Sequence, residues 1–194
     1  MRRKKFLNSP NHPAPPPYWH MEFVTYIAWL LQPNVYVELG IESCLTFNQI
    51  IPYAKHLIGV DNNPEAGKNM QPSTKTQFIP LSTNEYIKTL KKHPIAIDLL
   101  FIDADHDAKS VLQDFKNFFP FVTDQGIILL HDSYPSSWEA TIPRSSSTCY
   151  QAIQKLAQKQ HGFEMITIPL SPGITICRKF SCHLPWLSWS FLYP

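Results

Sequence analysis

Ile97-Asp98-Leu99-Leu100-Phe101-Ile102 runs apolar after Asp98 and then gives way to Asp103-Ala104-Asp105-His106-Asp107. An apolar run this short, with no alternation, reads as a strand covered on both faces, the kind found inside a mostly parallel sheet. The polar residues behind it mark the carboxyl end of that strand. From Asp107 to Phe118 the apolar Val111, Leu112, Phe115 and Phe118 return at helical spacing, so the strand is followed by a helix.

The same alternation extends in both directions. Upstream, Val35–Leu39 and Leu57–Val60 read as strands, Thr76–Leu81 as a weak third, and 43–54 and 84–92 as helices, the first with Leu45, Phe47, Ile50 and Ile51 inward. A helix over 18–31 carries Phe23, Ile27, Leu30 and Leu31 at helical spacing and stops at Pro33. Downstream, 126–131 reads as another buried strand, and a polar loop over 132–147 leads to a helix near 149–160. Strand alternating with helix predicts a mostly parallel sheet with helices on both faces. The last pair, 163–168 and 174–178, is joined by Pro169-Leu170-Ser171-Pro172-Gly173. That link is too short for a parallel crossover, so the pair is an antiparallel hairpin.

The chain has 194 residues, 17 Lys+Arg against 15 Asp+Glu, 44% hydrophobic and 16% charged residues. Whole-chain disorder is excluded by that balance, and so is nucleic acid held mainly through phosphate neutralisation. No run of 18 apolar residues exists, so no membrane span is expected. Met1-Arg2-Arg3-Lys4-Lys5 is followed by Asn8, Ser9 and prolines rather than an apolar segment, so no secretory signal is read. Cys44, Cys149, Cys177 and Cys182 show no paired spacing, as expected of reduced thiols in a cytoplasmic protein. The expected organisation is a basic, proline-rich arm over 1–17, one domain over 18–179 and an aromatic tail over 180–194. The tail holds Phe180, Trp186, Trp189, Phe191 and Tyr193. It reads as packing on this domain or on a second subunit of a homo-oligomer, with a substrate lid or a membrane-surface contact as alternatives.

In open α/β sheets ligands bind beyond the carboxyl ends of the strands. Those ends here are Glu38-Leu39-Gly40, Asp61-Asn62, Asp103-Ala104-Asp105-His106 and His131-Asp132. Carboxylates on one rim form an acidic cleft above an apolar sheet, because such groups are paired, solvated or ligand-bound. Asp61, 21 positions after Gly40, suits the hydroxyls of a ribose; a turn-forming role is the alternative. The dinucleotide motif G-x-G-x-x-G is absent, and Glu42 would repel a pyrophosphate. A ribose-bearing cation without phosphate suits this rim better, and S-adenosylmethionine is one.

Val37-Glu38-Leu39-Gly40, Gly59-Val60-Asp61, Leu99–His106 and Leu129-Leu130-His131-Asp132 together resemble class I S-adenosylmethionine-dependent methyltransferases. The nearest pattern is the small-molecule O-methyltransferase group that includes macrocin-type and cephalosporin-hydroxylase-like proteins. The resemblance covers about 33–179. It implies a Rossmann-like three-layer α/β/α fold, a seven-stranded mostly parallel sheet with an antiparallel last strand. It implies O-methylation of a small molecule's hydroxyl. Under it, Glu38 and Gly40 line the methionine part of the cofactor, Asp61 binds the ribose, and Ser82 and Thr83 lie beside the adenine. Asp103 sits near the transferred methyl and, with Asp132, holds a divalent metal, Mg2+ or, with His131 as a ligand, Mn2+. Asp103 and His131 are then the catalytic candidates.

Each candidate also has a structural alternative: helix capping for Asp105 and Asp107, a loop role for His106, a satisfied core histidine at position 131 and a turn for Asp132. Tyr134, Trp138 and Arg144 fall in the loop after the fifth strand, which in this architecture covers the acceptor; a solvated loop is the alternative. The remaining histidines, His20 among them, show no metal spacing. The family usually has glycine where this chain has Cys44, and a side chain there is expected to crowd the methionine moiety or shift the first helix. A non-catalytic S-adenosylmethionine or nucleoside binder is the alternative function.

Overall fold

The computed structural model describes Pro16, residues 18–135, Ser137, Thr141, residues 147–158 and residues 162–179. The expectations for the N-terminal arm, Trp138, Arg144 and the aromatic tail lie outside these residues. The elements are α1 (Trp19–Leu31), β1 (Val35–Leu39), α2 (Leu45–Ile50), β2 (His56–Val60), β3 (Thr76–Ile79), α3 (Thr83–Lys92) and β4 (Ile97–Ile102). There follow α4 (Ala108–Phe118), β5 (Val122–Leu130), α5 (Cys149–Ala157), β6 (Phe163–Ile168) and β7 (Ile174–Lys179). They build one seven-stranded sheet in the order β3-β2-β1-β4-β5-β7-β6. β1 to β5 run parallel, and β7 is antiparallel to both neighbours. This is the expected Rossmann-like three-layer arrangement with its antiparallel last strand.

Alternation along the central strands divides the core in two. Leu100 and Ile102 of β4 join Val37, Leu39, Ile128 and residues of α3, α4 and α5 on one face. Leu99 and Phe101 join Tyr36, Leu57, Leu129 and residues of α1 and α2 on the other. The unbroken apolar run of β4 is thus the consequence of two covered faces. Both helices beside the candidate site start on sequence-encoded caps. Ser82 and Glu85 form a reciprocal capping box on α3, and the Asp107 carboxylate accepts from the Lys109 and Ser110 N–H groups on α4. Asp107 therefore takes the capping role rather than a catalytic one.

Several expectations are corrected. α1 buries Met21, Val24 and Ala28 and packs Phe23 and Ile27, partly buried, against the core, while Leu30 and Leu31 are exposed. The helix is apolar around most of its circumference, so spacing alone does not select a face. α2 is shorter than 43–54 and leaves Leu45 exposed. Pro52 brings no N–H to continue its ladder, and 51–53 form a turn. β5 begins at Val122 rather than 126 and pairs with β4 through a register shift between Ile97 and Leu99. Among the described residues no helix is long and apolar enough to cross a membrane.

Candidate active site

Gly40 follows β1 at φ +85, and its Cα lies against the end of β4. A Cβ there would strike the Asp103 carbonyl oxygen and come within 2.5 Å of the Ala104 Cα. Only glycine allows this approach in this conformation. The Gly40 N–H donates to the Val60 carbonyl at 2.8 Å, so the ends of β1, β2 and β4 converge.

Beside this junction lies a cleft of about 260 Å³ lined by Gly40, Asp61, Asn62, Thr83 and Asp114, with Leu81 and Ala104 as apolar walls. Asp61 organises its rim. Its Oδ2 accepts from the Ile41 and Glu42 N–H groups at 3.1 and 3.0 Å, and its Oδ1 from the Asn63 N–H at 2.8 Å. A carboxylate accepts about four hydrogen bonds, so one acceptor position is left for a ribose hydroxyl. Ser82 and Thr83 stand at the start of α3 and also line the cleft. Gly40, Asp61, Ser82 and Thr83 thus come together as one nucleoside-sized groove with polar acceptors and apolar walls, a fit for S-adenosylmethionine.

Glu38 is placed differently. It is 3% exposed and accepts from the Tyr36 hydroxyl at 2.5 Å. Burial pushes its carboxyl well above the ordinary range, against the lowering effect of the Tyr36 bond, and the Asp103 charge adds to the rise. It is buried and is not among the residues lining the groove.

Across the Gly40 junction the ends of β4 and β5 carry ionisable pairs. His131 Nδ1 lies 2.7 Å from Asp103 Oδ1 and 3.5 Å from Asp132 Oδ1. His131 Nε2 is buried and has no hydrogen-bond partner among the described residues. Burial acts to lower the His131 pKa, but the Asp103 bond and the two carboxylate charges outweigh it and raise it above the ordinary value. The His20 ring lies 4.5 Å from that of His131, centroid to centroid, and burial, then the His131 charge, lowers its pKa. The Trp19 indole N–H, donating to the Ser171 carbonyl at 2.9 Å, fastens the start of α1 to the β6–β7 turn and so brings His20 in.

His106 Nδ1 lies 2.6 Å from Asp132 Oδ2. That bond, with one to Cys149, raises the His106 pKa to about 10. Asp132 itself stands at φ +52, a costly backbone state for a residue other than glycine.

Of the expected metal pair, Asp103 faces His131 through one oxygen, and Asp132 faces His106 through Oδ2 and His131 through Oδ1. Among the described residues, the donors that converge belong to His106, Asp132 and Cys149, all within 4.8 Å of one another. Nitrogen, oxygen and sulfur do not make the oxygen octahedron that Mg2+ requires. That cluster therefore does not suit Mg2+.

Sequence inspection passed over three participants. His20 and Cys149 arrive from distant segments and carried no spacing signal. Asp114 did carry one: it interrupts the apolar stripe Val111, Phe115 and Phe118 of α4, and it is 3% exposed. Burial raises its pKa to about 6, opposed by a Thr83 hydrogen bond and reinforced by the Asp105 charge. Cys44, at φ 58, occupies the left-handed region that explains glycine there. Its side chain is fully buried and reaches the Ala66 carbonyl oxygen at 3.4 Å, and it is not among the groove-lining residues.

Known proteins share both fold and sequence features with this chain. A family model described as a methyltransferase domain matches residues 37–133, half of the 194 residues. An uncharacterized protein of Acanthamoeba polyphaga mimivirus is 29% identical over 124 residues, 58% of this chain and 56% of that protein. The match thus spans little more than half of that relative's length. Among solved structures, an O-methyltransferase from Bacillus cereus in complex with S-adenosylhomocysteine superimposes with a TM-score of 0.71 at 11% identity, covering 89% of this chain and 85% of that one. The O-methyltransferase TomG of Streptomyces achromogenes, in complex with S-adenosylmethionine, gives 0.71 at 11% identity over 90% and 85%. An S-adenosylhomocysteine-bound methyltransferase of Podospora anserina gives 0.66 at 18% identity over 84% and 78%. At these identities the likeness is one of fold.

Proposed function

The chain belongs to the methyltransferase-domain family whose model spans residues 37–133, and from that premise we propose that it is an S-adenosylmethionine-dependent methyltransferase acting on a hydroxyl of a small molecule. The observation that carries this reading is the junction at Gly40. It joins an acceptor-lined nucleoside groove to a carboxylate–imidazole pair at the ends of β4 and β5.

Asp61 would take a ribose hydroxyl on its remaining acceptor position, and Thr83 and Leu81 would flank the base. When bound, the cofactor supplies an electrophilic methyl on a sulfonium. The negative Asp103 stands beside the junction, where it favours a positive centre. Its Oδ1 also orients His131, fixing Nδ1 as the bonded nitrogen. The unpartnered Nε2, buried beside the His20 ring in this structure, would take the proton of an acceptor hydroxyl that reaches it, and Asp103 would stabilise the imidazolium that results. A base so placed contributes typically ~10²–10⁴-fold, and alignment of acceptor with methyl contributes roughly 7–11 kcal/mol in well-oriented cases.

The test supplies S-adenosylmethionine with an isotopically labelled methyl and a panel of hydroxylated small molecules. Label on an acceptor oxygen, lost in His131→Asn, supports the reading. Cofactor binding with no transfer across the panel supports a non-catalytic binder instead, and absence of both overturns the proposal.

A further inference from the structure

The loop after β4 is fastened to the start of α5. The Thr148 N–H donates to the His106 carbonyl at 2.8 Å, and Thr148 Oγ1 accepts from the Ala108 N–H at 2.8 Å. The Cys149 thiol lies 3.9 Å from the Asp105 carbonyl oxygen. This latch holds His106 and Cys149 side by side through backbone contacts, independently of what their side chains do. Asp132 enters from the end of β5, the strand next to β4 in the sheet.

We propose that His106, Asp132 and Cys149 form a binding site for a divalent transition ion of the Zn2+ class, with three protein ligands and an open fourth position. One nitrogen, one oxygen and one sulfur donor lie within 4.8 Å of one another. Tetrahedral Zn2+ holds such donors at about 2.0–2.3 Å, which places them roughly 3–4 Å apart. Small side-chain rotations close the site, because the backbone is already in position. An ion pair between His106 and Asp132 needs only those two residues. The thiol arriving at the same point is the informative feature, since sulfur selects a borderline-soft ion over Mg2+ or Ca2+.

Access differs across the three ligands. Cys149 is 2% exposed, whereas the His106 side chain is 52% exposed. The site is thus anchored in the protein and open on the histidine side, so an ion can enter and the fourth position can hold water or an incoming donor atom. Three ligands with one open position is the pattern of catalytic rather than structural zinc. The site does not use Asp103, His131 or the nucleoside groove as ligands; Asp132 alone touches both centres, its Oδ1 lying 3.5 Å from His131 Nδ1, so Zn2+ binding and nucleoside binding are read as separate measurements.

The test uses the full chain, stripped with a chelator, desalted and titrated with Zn2+ alone, then with Co2+ as a spectroscopic substitute. The expected result is one equivalent bound per chain and, with Co2+, a thiolate charge-transfer band with the visible spectrum of a four-coordinate ion. Cys149→Ser should abolish the band and weaken Zn2+ binding by about 100-fold or more, beyond the usual cost of losing an outer-shell partner. Cys182→Ser should leave both unchanged. If Cys149→Ser does not fold, His106→Gln, at a half-exposed position, should show the same loss of affinity. No saturable binding overturns the proposal. So does binding that survives Cys149→Ser and His106→Gln, or a band that disappears only with Cys182→Ser.

Discussion

His131 Nδ1 stands 2.7 Å from Asp103 Oδ1, and this contact ties the end of β5 to the end of β4. The imidazole is oriented through one nitrogen while the other, buried, has no partner among the described residues. His131→Asn keeps a polar side chain beside Asp103 but removes the second nitrogen. Turnover should fall by about 10²–10⁴-fold, while the dissociation constant for S-adenosylhomocysteine stays unchanged. Steady-state rates and equilibrium binding on the same preparation check this.

Gly40→Ala places a methyl against the Asp103 carbonyl and the Ala104 Cα at a backbone angle of +85. The left-handed conformation alone costs roughly 1–2 kcal/mol, and the clash is with backbone, which cannot swing away. The variant should lose more than about 3 kcal/mol of unfolding free energy and its nucleoside binding with it. Denaturant unfolding is the measurement.

Asp114 should make stability depend on pH. Its folded carboxyl titrates near 6, against an ordinary value of 3.8. Between those values the unfolded state loses its proton first, so stability falls as pH rises through the window and stays lower above it. Asp114→Asn removes the cost. The variant should be more stable above pH 6, by on the order of 3 kcal/mol at most, and the gain should vanish below pH 3.8. Thermal unfolding at several pH values tests the sign.

Cys44→Gly trades two opposing effects. Glycine relieves the strain at φ 58, but the change deletes a fully buried side chain. Each is worth roughly 1–2 kcal/mol, so stability should shift by less than about 1 kcal/mol. Affinity for S-adenosylhomocysteine should not change, because the thiol points to Ala66 rather than into the groove. A tenfold change in affinity would show that position 44 reaches the cofactor.

Much of this was legible before any coordinates. The double-sided burial of β4 is written in its unbroken apolar run, and the short proline-containing link before Ile174 requires an antiparallel hairpin. The carboxylates that end β1, β2, β4 and β5 were visible as a rim; Asp61 lines the groove with Gly40, while Asp103 and Asp132 face His131. Other features depend on partners far away in the chain. His20 is carried to His131 by the Trp19–Ser171 hydrogen bond, which spans 152 positions, and Cys149 reaches His106 through a latch between segments about 40 residues apart. No local pattern encodes either. In α1 Phe23 and Ile27 pack on the core while Leu30 and Leu31 face out, because an all-round apolar helix leaves the choice of face to packing. Asp114 was readable as a carboxylate on an apolar stripe, a position that costs stability and therefore signals use.

The central claim is that Asp61 and the groove beside Gly40 hold the nucleoside of S-adenosylmethionine. Calorimetric titration of the folded chain with S-adenosylhomocysteine tests it most directly. The account predicts saturable one-site binding, weakened about 10–100-fold in Asp61→Ala, the value of hydrogen bonds to a charged acceptor. No binding by a demonstrably folded chain, or equal binding by Asp61→Ala, would contradict it.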